Sequence, residues 1–161
     1  MRRTKEQKAL DEELFRECEG YYKDYDKPDG AYIEVDNYFF NINKIKRLID
    51  SGADVRAKGY RDYTPLHRAA GGNNIDLAKL LIASGADVRA KDLDGDTPLH
   101  WAVDDRSIKM AKLLIKAGAD VNAENMGGYT PLGKMVDYRS TYRKYFDREF
   151  ANALIEAGAK F

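Results

Sequence analysis

Apolar residues recur at intervals of three and four in several short stretches of the chain, and polar or glycine-containing segments separate these stretches. The stretches at 75–82 and 108–115 each carry a broad apolar face of isoleucine and leucine, with Met110 added in the second, and 42–49 has the same spacing. This is the period of an amphipathic helix. Gly85 and Gly118 follow the last apolar residue by three positions, where a left-handed helix terminus favours glycine. The pattern therefore predicts short helices separated by turns.

A seven-residue word is repeated at a fixed interval. The word TPLHRAA at 64–70 returns as TPLHWAV at 97–103 and, less completely, as TPLGKMV at 130–136, each time after 33 residues. Thr97 can cap a helix that begins at Pro98, because proline in the first helical position loses no helix hydrogen bond. The word therefore predicts a helix start in each repeat.

A second word keeps the same interval: SGADV at 51–55 and 84–88, then AGADV at 117–121. The two words and their 33-residue period resemble the ankyrin repeat. The resemblance covers about residues 28–161 and implies an all-α solenoid of helix-turn-helix units with short β-turn fingers. The repeats are expected at about 28–60, 61–93, 94–126 and 127–161, which makes four.

Residues 1–27 precede the repeats and are predicted to form a helical N-terminal extension. Thr4 and Gln7 have the spacing of a capping box. Four residues then form one apolar helical stripe: Leu10, Leu14, Phe15 and Cys18. We expect a helix over 4–19 that covers the first repeat, and the alternative is a free arm that folds on a partner.

The terminal repeats depart from the pattern. Asp36 and Asn37 stand where later repeats have two small apolar residues, so the first repeat is expected to present a polar outer face. In the last repeat about seven extra residues lie around 137–148. An aromatic residue recurs there at every fourth position: Tyr138, Tyr142, Phe146 and Phe150. This favours a longer helix that caps the stack, with a basic and aromatic patch for a partner, including single-stranded nucleic acid, as the lesser alternative.

The overall composition limits the classes of partner. The chain has 161 residues, of which 27 are basic and 27 acidic, whereas coating a nucleic acid or an anionic membrane favours a basic excess. No apolar stretch approaches a membrane span, and the N-terminus leads into charged residues instead of a signal-peptide core. We therefore expect a cytoplasmic protein, or one delivered to a host cell without a cleavable signal peptide.

Few residues are available for catalysis. His67 and His100 are the only histidines and Cys18 is the only cysteine, which excludes a disulfide framework and a zinc site of cysteine and histidine. Both histidines belong to the repeated word, and the resemblance implies that they hydrogen-bond locally between finger and helix start. Cys18 is expected to be a packed, inert thiol. We predict no catalytic residue, no metal and no cofactor.

The resemblance implies instead a protein-binding surface made of the finger tips and the concave face of the first helices. The residues at those positions are Tyr60, Arg61, Tyr63 and Arg68 in the second repeat, Leu93, Asp96, Trp101 and Asp104 in the third, and Met126, Tyr129, Lys134 and Tyr138 in the fourth. Tyrosine, tryptophan and arginine often supply much of the energy of an interface. Trp101 is expected to face the partner, although it could instead fill the groove against Arg68 and Lys134.

The predicted function is a non-catalytic, monomeric module that binds another protein, as an inhibitor, an immunity partner or an effector would. The mixed charges along the surface suit a protein partner better than a polyanion. A structural module that oligomerises through its terminal caps is the alternative. The two readings differ in whether the ends or the fingers make the contact.

Overall fold

The computed structural model describes residues 3–18, 41–136 and 148–160. These segments contain eight α-helices: α1 (Lys5–Cys18), α2 (Ile42–Asp50), α3 (Pro65–Gly71), α4 (Ile75–Ala83), α5 (Pro98–Asp104), α6 (Ile108–Lys116), α7 (Pro131–Val136) and α8 (Arg148–Glu156). A single 3₁₀ turn spans Tyr60–Asp62, and no strand occurs within the described segments. The predictions for Asp36, Asn37, Tyr138, Tyr142 and Phe146 lie outside the described residues.

The helices form antiparallel pairs that stack in two rows. Helix α3 pairs with α4, α5 with α6, and α7 with α8, while α3, α5 and α7 pack in sequence as an inner row. Helices α4, α6 and α8 pack in sequence as an outer row. Because each pair contacts its neighbours along the chain, the described segments form the predicted all-α solenoid.

Local chemistry sets the ends of the helices. The outer helices begin at polar caps, since the Asn74 side chain accepts from the backbone N–H of Leu77 at 3.0 Å and Ser107 caps α6 in the same way. They end as predicted at glycines with left-handed backbone, with φ of 89° at Gly85 and 94° at Gly118. The sequence rules for starts and stops therefore hold in both central repeats.

A row of side-chain bonds joins the C-terminal ends of the outer helices. A side chain from one repeat donates to the carbonyl of the glycine that ends the next outer helix: Arg56 to Gly85 at 2.8 Å, Arg89 to Gly118 at 2.9 Å, and Asn122 to Gly158 at 3.0 Å. Arg3, just before α1, makes the same contact with Gly52 at 2.8 Å. The glycine carbonyl at each of these helix ends thus accepts a hydrogen bond from the segment that precedes it in the stack.

Helix α1 is part of the stack. Its predicted capping box is confirmed, because the backbone N–H of Thr4 donates to Gln7 Oε1 at 3.0 Å and the N–H of Gln7 donates to Thr4 Oγ1 at 3.2 Å. It forms a pair with α2, just as α3 forms a pair with α4. It also packs beside α3, just as α3 packs beside α5. The helix predicted to cover the first repeat therefore packs against α2 and stands beside α3, in line with the inner row.

The buried face of α1 joins the core of the repeats. Leu14, Phe15 and Cys18 are buried, and Leu14 and Cys18 lie in the same apolar cluster as the side chains of α2 and the inner helices. Burial raises the pKa of Cys18 to about 12, so its thiol is inert at neutral pH, as predicted. Phe15 fits over Gly59, where an added Cβ would lie 2.3 Å from the ring. Glycine at this position therefore makes room for α1.

Candidate partner-binding surface

Three hairpin loops project beside the inner helices, and we call them finger 2 (55–64), finger 3 (88–97) and finger 4 (121–130). One backbone hydrogen bond closes each finger: Gly59 to Tyr63 at 2.8 Å, Asp92 to Asp96 at 3.0 Å, and Asn125 to Tyr129 at 3.0 Å. The three bonds stand 33 residues apart in sequence, so the fingers close at the same position. The turn itself differs in finger 2, where Arg61 and Asp62 both have left-handed backbone, with φ of 54° and 60°.

Side chains inside fingers 3 and 4 hold their turns. Asp92 Oδ1 accepts from the backbone N–H groups of Asp94 and Asp96, both at 2.9 Å. Asn125 Oδ1 accepts in the same way from Gly127 at 2.9 Å and Tyr129 at 3.0 Å. Neither residue was among the predicted sites, although both bear a side-chain oxygen at the same position of the 33-residue repeat.

Successive fingers are also bonded to each other. The backbone N–H of Leu93 donates to the carbonyl of Arg61 at 3.0 Å, and that of Met126 donates to the carbonyl of Asp94 at 2.8 Å. The guanidinium of Arg61 donates to both carboxylate oxygens of Asp94, at 2.8 and 2.6 Å. The Nζ of Lys91 in finger 3 donates to the backbone carbonyl of Glu124 in finger 4. The fingers therefore form one continuous, hydrogen-bonded edge.

The tips of this edge are apolar and open to solvent. The exposed fraction is 72% for Tyr60, 51% for Leu93 and 80% for Met126. These three residues are 33 apart and occupy the same position in three fingers. We call them the tip row. All three were among the predicted binding residues, and the shared position is visible in the sequence once the repeats are aligned.

The aromatic residues at the base of the fingers contact one another. The ring of Trp101 meets the ring of Tyr63 edge-on, with 4.7 Å between centroids, and its Nε1 donates to Asp92 at 2.9 Å. Arg68 lies over the ring of Tyr63 at 4.8 Å and faces Phe15 at 5.6 Å. Trp101 is half-buried in this cluster. Trp101 also meets the ring of His67, with 5.8 Å between centroids, and its role towards a partner stays a prediction.

Two predicted contact residues lie inside the protein. Arg68 is 7% exposed and Asp96 is 8% exposed, which differs from the expectation that both face a partner. Arg68 is enclosed by the two aromatic rings. Asp96 accepts from Asn125 at 2.7 Å and from Lys134 at 2.6 Å, so groups of the fourth repeat cover it. Both residues therefore present little surface to a partner and mainly contact groups of their own chain.

The remaining predicted residues lie nearer the surface. Lys134 is half-buried between Asp96 and Asp104, and its Nζ lies 2.7 Å from the exposed Asp104. Burial alone would lower the pKa of Lys134, but hydrogen bonds to Asp104 and Asp96 outweigh it and raise that pKa. Tyr129 is half-buried, and Tyr138 lies outside the described residues. These polar groups satisfy one another at the base of fingers 3 and 4.

The two histidines have the structural role that the resemblance implies. In His67 the Nδ1 atom accepts from the backbone N–H of Thr64 at 3.1 Å, and Nε2 lies 3.1 Å from the carbonyl of Asp96 in the next finger. His100 makes equivalent contacts with Thr97 at 3.1 Å and with the carbonyl of Tyr129 at 3.0 Å. Since a carbonyl only accepts, Nε2 carries the proton in both rings. Each histidine therefore ties a helix start to the following finger.

These contacts predict how stability depends on pH. Burial lowers the pKa of His67 and of His100. Below about pH 6.5 the unfolded chain therefore takes up protons that the folded chain does not. The free energy of unfolding consequently decreases as the pH is lowered. Asp105 acts in the opposite sense: although its side chain is exposed, partial desolvation raises its pKa to about 6, and its protonation favours the folded state. We expect the free energy of unfolding to fall from pH 7.5 to 5.5 more steeply in Asp105→Asn than in the native protein.

Urea titrations at several pH values would measure both slopes. The chosen range stays above the ordinary pKa of exposed carboxylates, about 4. Asp104 acts in the same sense as Asp105, because desolvation raises its pKa too, but it is present in both proteins, so the difference between the two slopes isolates Asp105. A slope that is no steeper in Asp105→Asn than in the native protein would contradict the raised pKa of Asp105.

The comparison with known protein families agrees with this geometry. A family model of ankyrin repeats, in three copies, matches residues 35–125, which is more than half of the chain. The pair α7–α8 lies beyond the matched region and continues the same stack. No curated protein matched the chain. Among the described residues no helix is long and apolar enough to span a membrane.

Ankyrin repeats are generally protein–protein interaction modules and are typically non-catalytic. The stacked helix pairs, the linked fingers and the histidine contacts are the parts that this architecture requires. With the family match over residues 35–125, they show that the chain belongs to the ankyrin-repeat family.

Proposed function

We propose that the protein binds another protein, without catalysis, through the tip row and the adjoining concave face. The observation that carries the proposal is the exposure of an apolar side chain at the same position in three successive fingers. Single exposed apolar residues are ordinary on protein surfaces, whereas an aligned set marks an interaction site. None of the three side chains belongs to the buried core, so the fold does not require them.

The hydrogen bonds of the fingers support this proposal. The tips stand on closed hairpins that are joined to each other through the backbone at Leu93 and Met126. A partner would meet a surface that is already ordered, so association loses little conformational entropy. The half-buried Tyr63, Trp101 and Tyr129 lie at the base of the fingers and offer further aromatic area.

The alternative function, an assembly module that uses its terminal caps, has less support. Helix α1 packs on α2 and α3 within its own chain, so its apolar stripe is already covered. We therefore propose a monomer in which residues 3–18 and the repeats form one folding unit, in place of a separate extension at 1–27. Inhibitor, immunity partner and effector all remain compatible with this mode of binding.

A triple substitution tests the proposed surface. In Tyr60→Ser/Leu93→Ser/Met126→Ser we expect affinity for the natural partner to fall at least about 100-fold, because side chains of this kind contribute ~1–2 kcal/mol each at an interface. The melting temperature should change by no more than about 3 °C, since exposed positions contribute little to stability. Capture of the partner from a native lysate, followed by titration of the identified partner, gives the affinity.

Ile155→Ser is the matched control, because Ile155 is also an exposed apolar residue but lies on α8, outside the fingers. It should leave affinity unchanged. If the triple variant keeps the affinity of the native protein, the tip row is not the binding surface. Light scattering on the same proteins addresses the alternative: self-association that persists in the triple variant would favour the assembly module.

A further inference from the structure

We infer that the protein has a second binding surface on its outer row, where helix α6 takes a short acidic segment of a protein partner. The surface consists of Lys109, Lys112 and Lys116, and we call it the lysine stripe. The inference goes beyond the proposed function, because the tip row lies on the fingers and the stripe lies on an outer helix. A protein with both surfaces holds two partners at once.

The first observation concerns the exposed face of α6. Lys109, Lys112 and Lys116 are its exposed residues, and the other residues of the helix are buried or half-buried. Spacings of three and four residues place the three side chains on one side of the helix. Within the described segments none of the three ammonium groups pairs with a carboxylate. The face that α6 presents to solvent therefore consists of lysines whose charge no described residue pairs with.

The second observation is that this arrangement is unfavourable for the helix itself. Lysines three and four residues apart repel each other. The first turn of α6 contains Lys109 and no acidic residue, whereas the positive end of the helix dipole favours a carboxylate there. Two other outer helices follow this rule, with Asp76 in α4 and Glu149 in α8 at the position equivalent to Lys109. Helix stability therefore does not explain Lys109, whereas an acidic ligand does.

The neighbouring helices limit the size of the ligand. Helix α8 packs beside α6 and exposes Glu149 and Glu156 against one arginine, Arg148. On the other side α4 exposes Asp76, which lies 3.6 Å from Lys79 and offsets its charge. A long polyanion such as a nucleic acid, or an anionic membrane surface, would extend from the stripe onto these carboxylates and be repelled. A short run of aspartate or glutamate within a protein segment is complementary to the stripe alone.

A peptide titration on the full chain tests the inference. The probe is a fluorescent peptide of about eight glutamates, compared with the same peptide in which every glutamate is glutamine, and anisotropy measures affinity. At low ionic strength we expect the native protein to bind the glutamate peptide at least ~10-fold more tightly than the glutamine peptide. Lys109→Gln/Lys112→Gln/Lys116→Gln should lose at least ~10-fold in affinity for the glutamate peptide.

Lys5→Gln/Lys8→Gln/Lys160→Gln is the matched control, because it removes the same charge from three exposed lysines outside the outer helices. It should change affinity by less than about 2-fold, since screening limits the influence of distant surface charges. The tip-row variant Tyr60→Ser/Leu93→Ser/Met126→Ser should bind the glutamate peptide like the native protein. The two surfaces are thereby tested separately, and failure of one leaves the other standing.

Lys109→Glu supplies a second readout. It places an acidic residue in the first turn, as in α8, so we expect the melting temperature to rise by about 1–3 °C while affinity for the glutamate peptide falls at least ~3-fold. A lower melting temperature would contradict the unfavourable placement of Lys109 and remove the second observation.

Three results would overturn the inference. The first is a native protein that does not distinguish the two peptides, and the second is an equal loss of affinity in the stripe variant and the matched control. The third is tighter binding of a single-stranded oligonucleotide, or of vesicles that contain phosphatidylserine, than of the glutamate peptide, because the stripe would then serve a different polyanion.

Discussion

Replacing Gly95 with alanine is expected to lower the free energy of unfolding by about 2–5 kcal/mol, roughly twice the loss for the same change at Gly128. Both glycines occupy the same position of a finger and have nearly the same left-handed backbone, with φ of 76° and 75°. Alanine in this conformation costs ~1–2 kcal/mol at either site. Only at Gly95 does the new Cβ also meet a neighbour, the backbone nitrogen of Met126 at 2.8 Å.

The comparison isolates the contact between two fingers. At Gly128 nothing lies within 4 Å of the added Cβ, so that variant measures backbone strain alone. Urea unfolding with linear extrapolation, followed by circular dichroism, would give both free energies. Because the clash moves the backbone of Met126, Gly95→Ala should also weaken partner binding while Gly128→Ala should not. Equal losses of stability in the two variants would contradict the close packing of fingers 3 and 4.

The second large effect is expected in α1. Leu14→Ala should lower the free energy of unfolding by about 2–5 kcal/mol, as for a leucine removed from the centre of a core. Leu14 has no exposed surface and contributes to the same cluster as the inner helices. Leu10→Ala, at a half-buried position of the same helix, should lose only about 1 kcal/mol and serves as the control.

The single tryptophan shows whether α1 unfolds with the repeats. Trp101 lies in α5 and contacts Tyr63, whereas α1 packs mainly on α2 and α3, so the fluorescence of Trp101 reports on the central repeats. If α1 belongs to the stack, Leu14→Ala shifts the fluorescence transition and the helical transition to the same lower urea concentration. If α1 were a detachable cover, the Trp101 transition would stay where it is in the native protein.

Much of the fold follows from two repeated words. The threonine and proline of TPLH begin the inner helices, the later glycines end the outer helices, and both histidines make the expected bonds. These features depend on residues that are close in sequence or one repeat apart, so they can be predicted from the 33-residue period. The capping box of Thr4 and Gln7 is local in the same sense.

The 33-residue period does not predict which of the proposed contact residues are exposed in the folded protein. Arg68 lies between the rings of Tyr63 and Phe15, and Phe15 belongs to α1, which lies outside the repeated words. Asp96 is buried because the fourth repeat supplies Lys134 and Asn125, residues that the earlier repeats do not have at those positions. Position within a repeat therefore identifies candidate contacts, while burial depends on the particular neighbour.

The packing position of α1 could not be predicted from the sequence for a similar reason. An apolar stripe such as Leu14, Phe15 and Cys18 shows that one face of a helix is covered, without showing by what. The companion signal was Gly59, which replaces the polar finger residue found at Asp92 and Asn125 and thereby admits Phe15. Phe15 and Gly59 lie in separate segments of the chain, so only the packed structure shows that the glycine at position 59 makes room for the phenylalanine at position 15.

The bonds along the outer helix ends bear on how such a protein can lengthen or shorten during evolution. Duplication of a 33-residue unit copies one arginine donor and one glycine carbonyl together, as in the pairs of Arg56 and Arg89, so no new carbonyl is left without a donor. Only the boundaries need different residues, and there Arg3 supplies the first donor and Asn122 the last. A gene of this kind can therefore gain or lose whole internal units by recombination while both terminal segments keep their contacts.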